Sequence, residues 1–147
     1  MILISDSGST KTDWRLVNET KQVQSFQTIG FNPYYISEQP MLDELAKSTL
    51  VEIKDNVPQV FFYGAGCSSV AKSGEIKQTL GKFFNRATVE VNHDLLAAAR
   101  ALCGNQAGLV AILGTGSNTC FFDGTTIVKN VSSLGFILGD EGSGAHL

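Results

Sequence analysis

Two short stretches, Asp6-Ser7-Gly8-Ser9-Thr10-Lys11-Thr12 and Leu113-Gly114-Thr115-Gly116-Ser117-Asn118, combine glycine with hydroxyl side chains directly after an apolar run. Glycine leaves the backbone bare, so such turns present N–H groups and hydroxyls in concavities that suit an anion, phosphate above all. Neither stretch is a P-loop, which needs G-x-x-x-x-G-K-[ST] between a strand and a helix. Here Gly8 lies only three residues before Lys11, and a strand pattern follows. Nor is there a dinucleotide fingerprint: Gly114 and Gly116 match the first two glycines of G-x-G-x-x-G, but Thr119 stands at the third. The residue types therefore argue for a clamp of two hairpin tips around one phosphate chain.

The surrounding elements explain how such tips would be held. Ile2 to Ser5, Asp13 to Val17 and Val23 to Thr28 are apolar or alternate apolar with polar, which predicts an antiparallel meander broken by Gly30-Phe31-Asn32-Pro33. From Ser37 to Lys54, Met41, Leu42, Leu45, Thr49, Leu50 and Ile53 share one face of an amphipathic helix, with Ser37 as its N-cap. Gln59 to Tyr63 reads as a buried strand closed by Gly64-Ala65-Gly66. A second helix follows with Ile76, Leu80, Phe83 and Phe84 on its face, and Ser68 near its start is a cap or a weak pocket residue. Thr88 to Val91 is the next strand, and Asp94 opens an Ala/Leu-rich helix that ends near Leu102.

After Gly104-Asn105 the strand-turn-strand pattern restarts. Leu109 to Leu113, Thr119 to Phe122 and Thr125 to Val128 form a second meander, with Asp123-Gly124 as a two-residue hairpin signal. The expected organisation is a first α/β lobe over 1–105 and the first strands of a second, similar lobe over 106–147. That second meander has no helices of its own, so the second lobe is expected to be incomplete.

Composition narrows the function classes. The 147 residues are 43% apolar and 17% charged, an ordinary globular balance. A net charge of -3 lacks the clustered Lys and Arg that nucleic acid demands. No apolar run approaches the ~20 residues of a bilayer span, and the N-terminus lacks the pattern of a signal peptide. The chain is read as cytoplasmic, with neither a nucleic-acid nor a membrane partner. Cys67, Cys103 and Cys120 are widely spaced and odd in number, which reads as small buried side chains rather than disulfides or a zinc site.

Taken in order, several segments carry a resemblance. Asp6 to Asp13 resembles the first phosphate motif of the sugar kinase, Hsp70 and actin superfamily. Within it the match is to the N-acetylglucosamine kinase and BadF/BadG-type ATPase family. Leu113 to Asn118 resembles that family's second phosphate motif, Gly139-Asp140-Glu141-Gly142-Ser143-Gly144 its next signature, and Asn92-His93-Asp94-Leu95-Leu96-Ala97-Ala98 its catalytic aspartate segment. The resemblance implies a ribonuclease-H-like, actin-like ATPase lobe with a mixed sheet, and Mg²⁺ with ATP as the cofactors. It implies that Gly8, Ser9 and Thr10, counted with Lys11, hold the β- and γ-phosphates, and that Thr115 with Gly116 meets them from the second lobe. Asp6 would hold the magnesium ion through water, as an alternative to closing its turn as an Asx residue. Asp94 would be the general base, a role compatible with capping its helix; His93 is read as structural.

Sugar contacts would resemble the family's at Asn32, Asp94, Ser117, Asn118 and Asp140. Asn32 and Asp140 have plain alternatives, a turn residue before Pro33 and a solvated acid between glycines. One departure concerns the sugar: Ser133-Leu134-Gly135 stands where relatives carry an aromatic residue before the glycine, with Phe136 as a nearby substitute. The expected activity is phosphorylation of an amino-sugar hydroxyl, in a protein whose partner is that small molecule and for which a homodimer is open. Two other readings are an activator ATPase for acyl-CoA dehydratases or reductases, which would need cluster cysteines, and a sugar sensor without turnover.

Overall fold

The computed structural model describes residues 1–114, 116–132 and 142–144. The chain divides into two compact units, Met1–Asp94 and Leu95–Leu147.

In the first unit, β1 (Ile2–Ser7), β2 (Lys11–Val17) and β3 (Val23–Ile29) form the expected meander. β4 (Gln59–Gly64) and β5 (Thr88–His93) then add in parallel to β1, giving a mixed sheet in the order β3-β2-β1-β4-β5. The helices α1 (Glu38–Lys47) and α2 (Val70–Phe83) lie in the connections between β3 and β4 and between β4 and β5. This is the mixed five-strand α/β lobe that the sequence implies.

Its core is aromatic. Trp14 is fully buried, and its ring centroid lies 6.0–6.2 Å from those of Phe31, Phe62 and Phe84. Its indole Nε1–H donates to Thr28 Oγ1 at 3.0 Å, so the ring is satisfied at its polar edge as well. Trp14→Ala is expected to lower unfolding stability by about 3–5 kcal/mol, read from the shift in denaturant midpoint.

The first predicted helix is shorter than its apolar face suggests. α1 ends at Lys47, and Ser48 turns to φ -79°, ψ 159° before a 3-10 turn over Thr49–Glu52. Ser48 Oγ donates to Leu45 O at 2.7 Å and accepts from Leu50 N–H, so one hydroxyl both closes the helix and starts the next turn. Met41, Leu45 and Leu50 remain buried across the break. Ser37 occupies the N-cap position of α1 without a side-chain cap bond, whereas α2 is capped by Ser69, whose Oγ accepts from Lys72 N–H. Ser68, one residue earlier, is exposed.

The second unit holds most of α3 (Asp94–Cys103) with the antiparallel strands β6 (Gly108–Leu113), β7 (Ser117–Phe122) and β8 (Ile127–Ser132). Leu95 and Ala99 of α3 pack on Val110, Cys120 and Phe122, so the helix before residue 105 shares a core with the strands after it. The opposite face carries exposed Leu109, Leu113, Phe121 and Val131. The β7–β8 connection is a four-residue loop rather than a two-residue hairpin. Asp123 Oδ1 accepts the backbone N–H groups of Thr125 and Thr126 at 2.7–2.8 Å, and Gly124 takes φ +101°. An Asx turn of this kind needs the extra residues. Among the described residues, no helix is long and apolar enough to cross a membrane.

Candidate active site

Because β1, β4 and β5 run parallel, their C-terminal ends lie at one edge of the sheet. Ser7 pairs with Gly64, and Gly64 pairs with His93, which places Asp6, the Gly8 turn and Asp94 along that edge. Open α/β sheets bind ligands outside the carboxyl ends of such strands. Asp6 is exposed at its surface, yet its carboxyl is held above the usual carboxylate range. Lost hydration is the first cause, then the negative charges of Asp94 and Asp13, with Lys11 pulling the other way. Asp94 thus acts electrostatically on Asp6, although 88 positions of chain separate them.

The Gly8-Ser9-Thr10 turn is exposed at its apex and anchored beneath. Gly8 N–H donates to Lys11 O at 2.9 Å, and Gly30 N–H donates to Thr10 O at 3.0 Å. Below it, Thr12 Oγ1–H donates to Ile29 O at 2.9 Å, which leaves the 2.7 Å contact between Ser7 and Thr12 to be donated by Ser7. Ser7 Oγ in turn accepts from Phe31 N–H at 3.0 Å. Both hydroxyls are fully buried, so this relay ties the 29–31 segment to the tip from inside. Gly30 is required by closeness: a Cβ there would stand 2.5 Å from the carbonyl oxygens of Gly8 and Ser9. Gly8 is different, since a Cβ would meet only Lys11 O at 3.7 Å, so its bareness serves space above the turn rather than packing.

Lys11 is engaged with Asp13 at 2.8 Å, and that bond, together with Gln27 donating to Asp13 Oδ1, holds the Asp13 carboxyl below its usual range. Asn32 is buried. Its Nδ2 donates to Ser9 Oγ at 3.0 Å and its Oδ1 accepts from Tyr34 N–H at 3.1 Å. The 33–37 segment beyond it lines a separate cleft of about 450 Å³ with Met41, Ile76 and Thr79. Cys67 lies under the Gly64 turn, where burial, with Asp94 adding, pushes its thiol up to about 12. Such a thiol is inert as a nucleophile. Burial also lowers His93, with Asp94 opposing.

In the second unit, Gly114 N–H donates to Gly116 O at 2.9 Å between the end of β6 and the start of β7. Gly144 N–H donates to Gly114 O at 2.7 Å, which packs the Gly142-Ser143-Gly144 segment onto Gly114. Ser117 and Asn118 are the first residues of β7 rather than turn residues, and Asn118 Oδ1 and Ser143 Oγ are buried without a hydrogen-bond partner among the described residues. Thr115 and Asp140 lie outside the described residues.

A Mg²⁺–triphosphate fits what the first unit offers. Mg²⁺ takes one or two carboxylates, phosphate oxygens and water, and Asp6 is a carboxylate crowded by like charges beside a bare, donor-bearing turn. The anchoring residues Ser7, Thr12 and Gly30 are not apparent as functional from their types. The signal for Ser7 and Thr12 is their opposition across the hairpin, both inward-facing hydroxyls beside Ser5 and the apolar Leu3, Trp14 and Leu16.

The fold and this edge define one lobe of the actin-like, ribonuclease-H-like class. Comparison with solved structures makes the relationship specific. Over 97% of its length the chain superposes on 52% of a Porphyromonas gingivalis protein provisionally named an N-acetylglucosamine kinase, with 46% identity and a TM-score of 0.90. A Chromobacterium violaceum protein of the same provisional name shares the fold at 20% identity and a TM-score of 0.58, again over 97% of this chain and 52% of that one. The chain is thus similar along nearly its whole length to a protein of that provisional name, and it spans about half the length of either structure. No protein-family model and no curated protein sequence matches it.

Proposed function

We propose that this chain supplies the phosphate turn and general base of an ATP-dependent kinase acting on a hydroxyl of an amino sugar, N-acetylglucosamine or glucosamine. The observation that carries the reading is the placement of Asp6, the Gly8 turn and Asp94 on one sheet edge in a chain 46% identical to a protein bearing that kinase name. Mg²⁺, when bound, neutralises phosphate charge. Asp6 would hold the ion through water. Gly8, Ser9 and Thr10, beside Lys11, donate to the β- and γ-phosphates. Asp94 accepts the proton of the sugar hydroxyl as its oxygen bonds to the γ-phosphorus and the bond to the β-phosphate oxygen breaks, releasing ADP. The resemblance assigns Thr115 and Gly116 to phosphate contacts, and Asn32, Asp94, Ser117, Asn118 and Asp140 to contacts with sugar hydroxyls.

An ADP-release assay of the purified protein over a panel of amino sugars tests this. Turnover that requires N-acetylglucosamine or glucosamine is the expected result. Hydrolysis at the same rate without sugar would overturn it and favour an activator ATPase; sugar binding with no turnover would favour a sensor.

A further inference from the structure

Asn32 holds a position that a sugar contact alone does not explain. It is 7% exposed, and each end of its amide already has a protein partner. Tyr34 N–H requires an acceptor, which fixes Oδ1 toward Tyr34 and Nδ2 toward Ser9. Gly66, at φ +80°, packs so closely on this amide that a Cβ there would reach Asn32 Oδ1 at 2.5 Å, so the β4–α2 turn holds the side chain in place from behind. The consequence falls on Ser9, an exposed residue of the phosphate turn. A serine hydroxyl donates one hydrogen bond and accepts others. With Asn32 donating to its oxygen, the Ser9 O–H is left to point outward as a donor.

We propose that Asn32 is a positioning residue for the phosphate turn: its amide sets the polarity of Ser9, so that the hydroxyl meets an anionic phosphate oxygen as a donor. This rests on the kinase reading for the identity of the anion but not for the bond itself. It also links two segments, because the residue that the resemblance implies as a sugar contact is the one that aims a phosphate donor. Acceptor-side movement at 30–34 is thereby transmitted to Ser9 through one 3.0 Å bond, with Gly30 N–H to Thr10 O as its backbone companion.

The test is a double-mutant cycle in the full chain, with Mg-ATP affinity read by calorimetry and amide hydrogen exchange read at Gly8 and Gly30. Asn32→Ala and Ser9→Ala are each expected to weaken Mg-ATP binding by about tenfold, the scale of one hydrogen bond to a charged group. The double variant should be no weaker than either single one. Asn32→Ala should also speed exchange at Gly8 and Gly30 while leaving core amides unchanged, and N-acetylglucosamine affinity should move less than nucleotide affinity. Additive losses, or a loss confined to sugar affinity, would overturn the proposal and return Asn32 to the sugar. If the unsubstituted chain binds no Mg-ATP, the kinase reading fails, and the exchange comparison still decides the positioning role: unchanged exchange at Gly8 and Gly30 in Asn32→Ala refutes it. Should Asn32→Ala not fold, exposed Ser9→Ala examines the same bond from its other end. There, unaltered Mg-ATP affinity would overturn the proposal, and a roughly tenfold loss would support it.

Discussion

Asp94→Asn is expected to lower sugar phosphorylation by about 100- to 10,000-fold, the range spanned by a positioned general base, while Mg-ATP affinity changes little. Asparagine keeps the size of the side chain and its ability to cap a helix start, so the fold is retained. What it removes is the proposed acceptor for the hydroxyl proton and one negative charge that acts on Asp6. The second loss gives an independent readout. With Asp94 neutral, the Asp6 carboxyl should titrate closer to its ordinary value, which carbon-detected NMR can follow in the same sample. Unaltered turnover in Asp94→Asn would remove the residue from catalysis and leave it as the start of α3. A fall in stability with a proportionate fall in activity would say the same.

The sequence was legible where local pattern and tertiary packing agree. The β1–β3 meander follows from alternation, since Leu3, Ser5 and Ser7 on one strand and Thr12, Trp14 and Leu16 on the next all face inward. Glycine content marked the Gly8 turn and the resemblance marked Asp94, and the strand register brings both to one end of the parallel strands. Where one polar side chain redirects the backbone, periodicity misled. Ser48 splits a continuous apolar face into α1 and a 3-10 turn, and Asp123 lengthens a hairpin that Asp-Gly alone suggests is tight. The Asn32–Ser9 bond joins residues 23 apart in the chain, and nothing in either neighbourhood announces it. The Ser7–Thr12 relay to Ile29 emerges only once the hairpin register sets the two hydroxyls opposite each other, where both have zero exposure.

Asp6→Asn separates stability from function in the opposite sense. In the folded chain the Asp6 carboxyl is raised above its ordinary value, first by lost hydration and then by Asp94 and Asp13. The folded state therefore binds this proton more readily than the unfolded one, and Asp6 lowers stability progressively as pH rises through the ordinary carboxylate range to its raised value. Above that value the penalty is fully present. Asparagine carries no such charge, so the variant is expected to melt at a higher temperature than the unsubstituted chain near pH 7, with the difference vanishing near pH 3, where the carboxyl is protonated in both states. Magnesium-dependent nucleotide binding and turnover should be lost in the same variant, because the carboxylate proposed to hold the ion is gone. A gain in stability coupled to a loss of function is the signature of a charge kept for its ligand rather than for the fold. A variant that melts lower at pH 7 would instead make Asp6 a turn-closing residue, and magnesium-dependent turnover that survives the substitution would place the ion elsewhere.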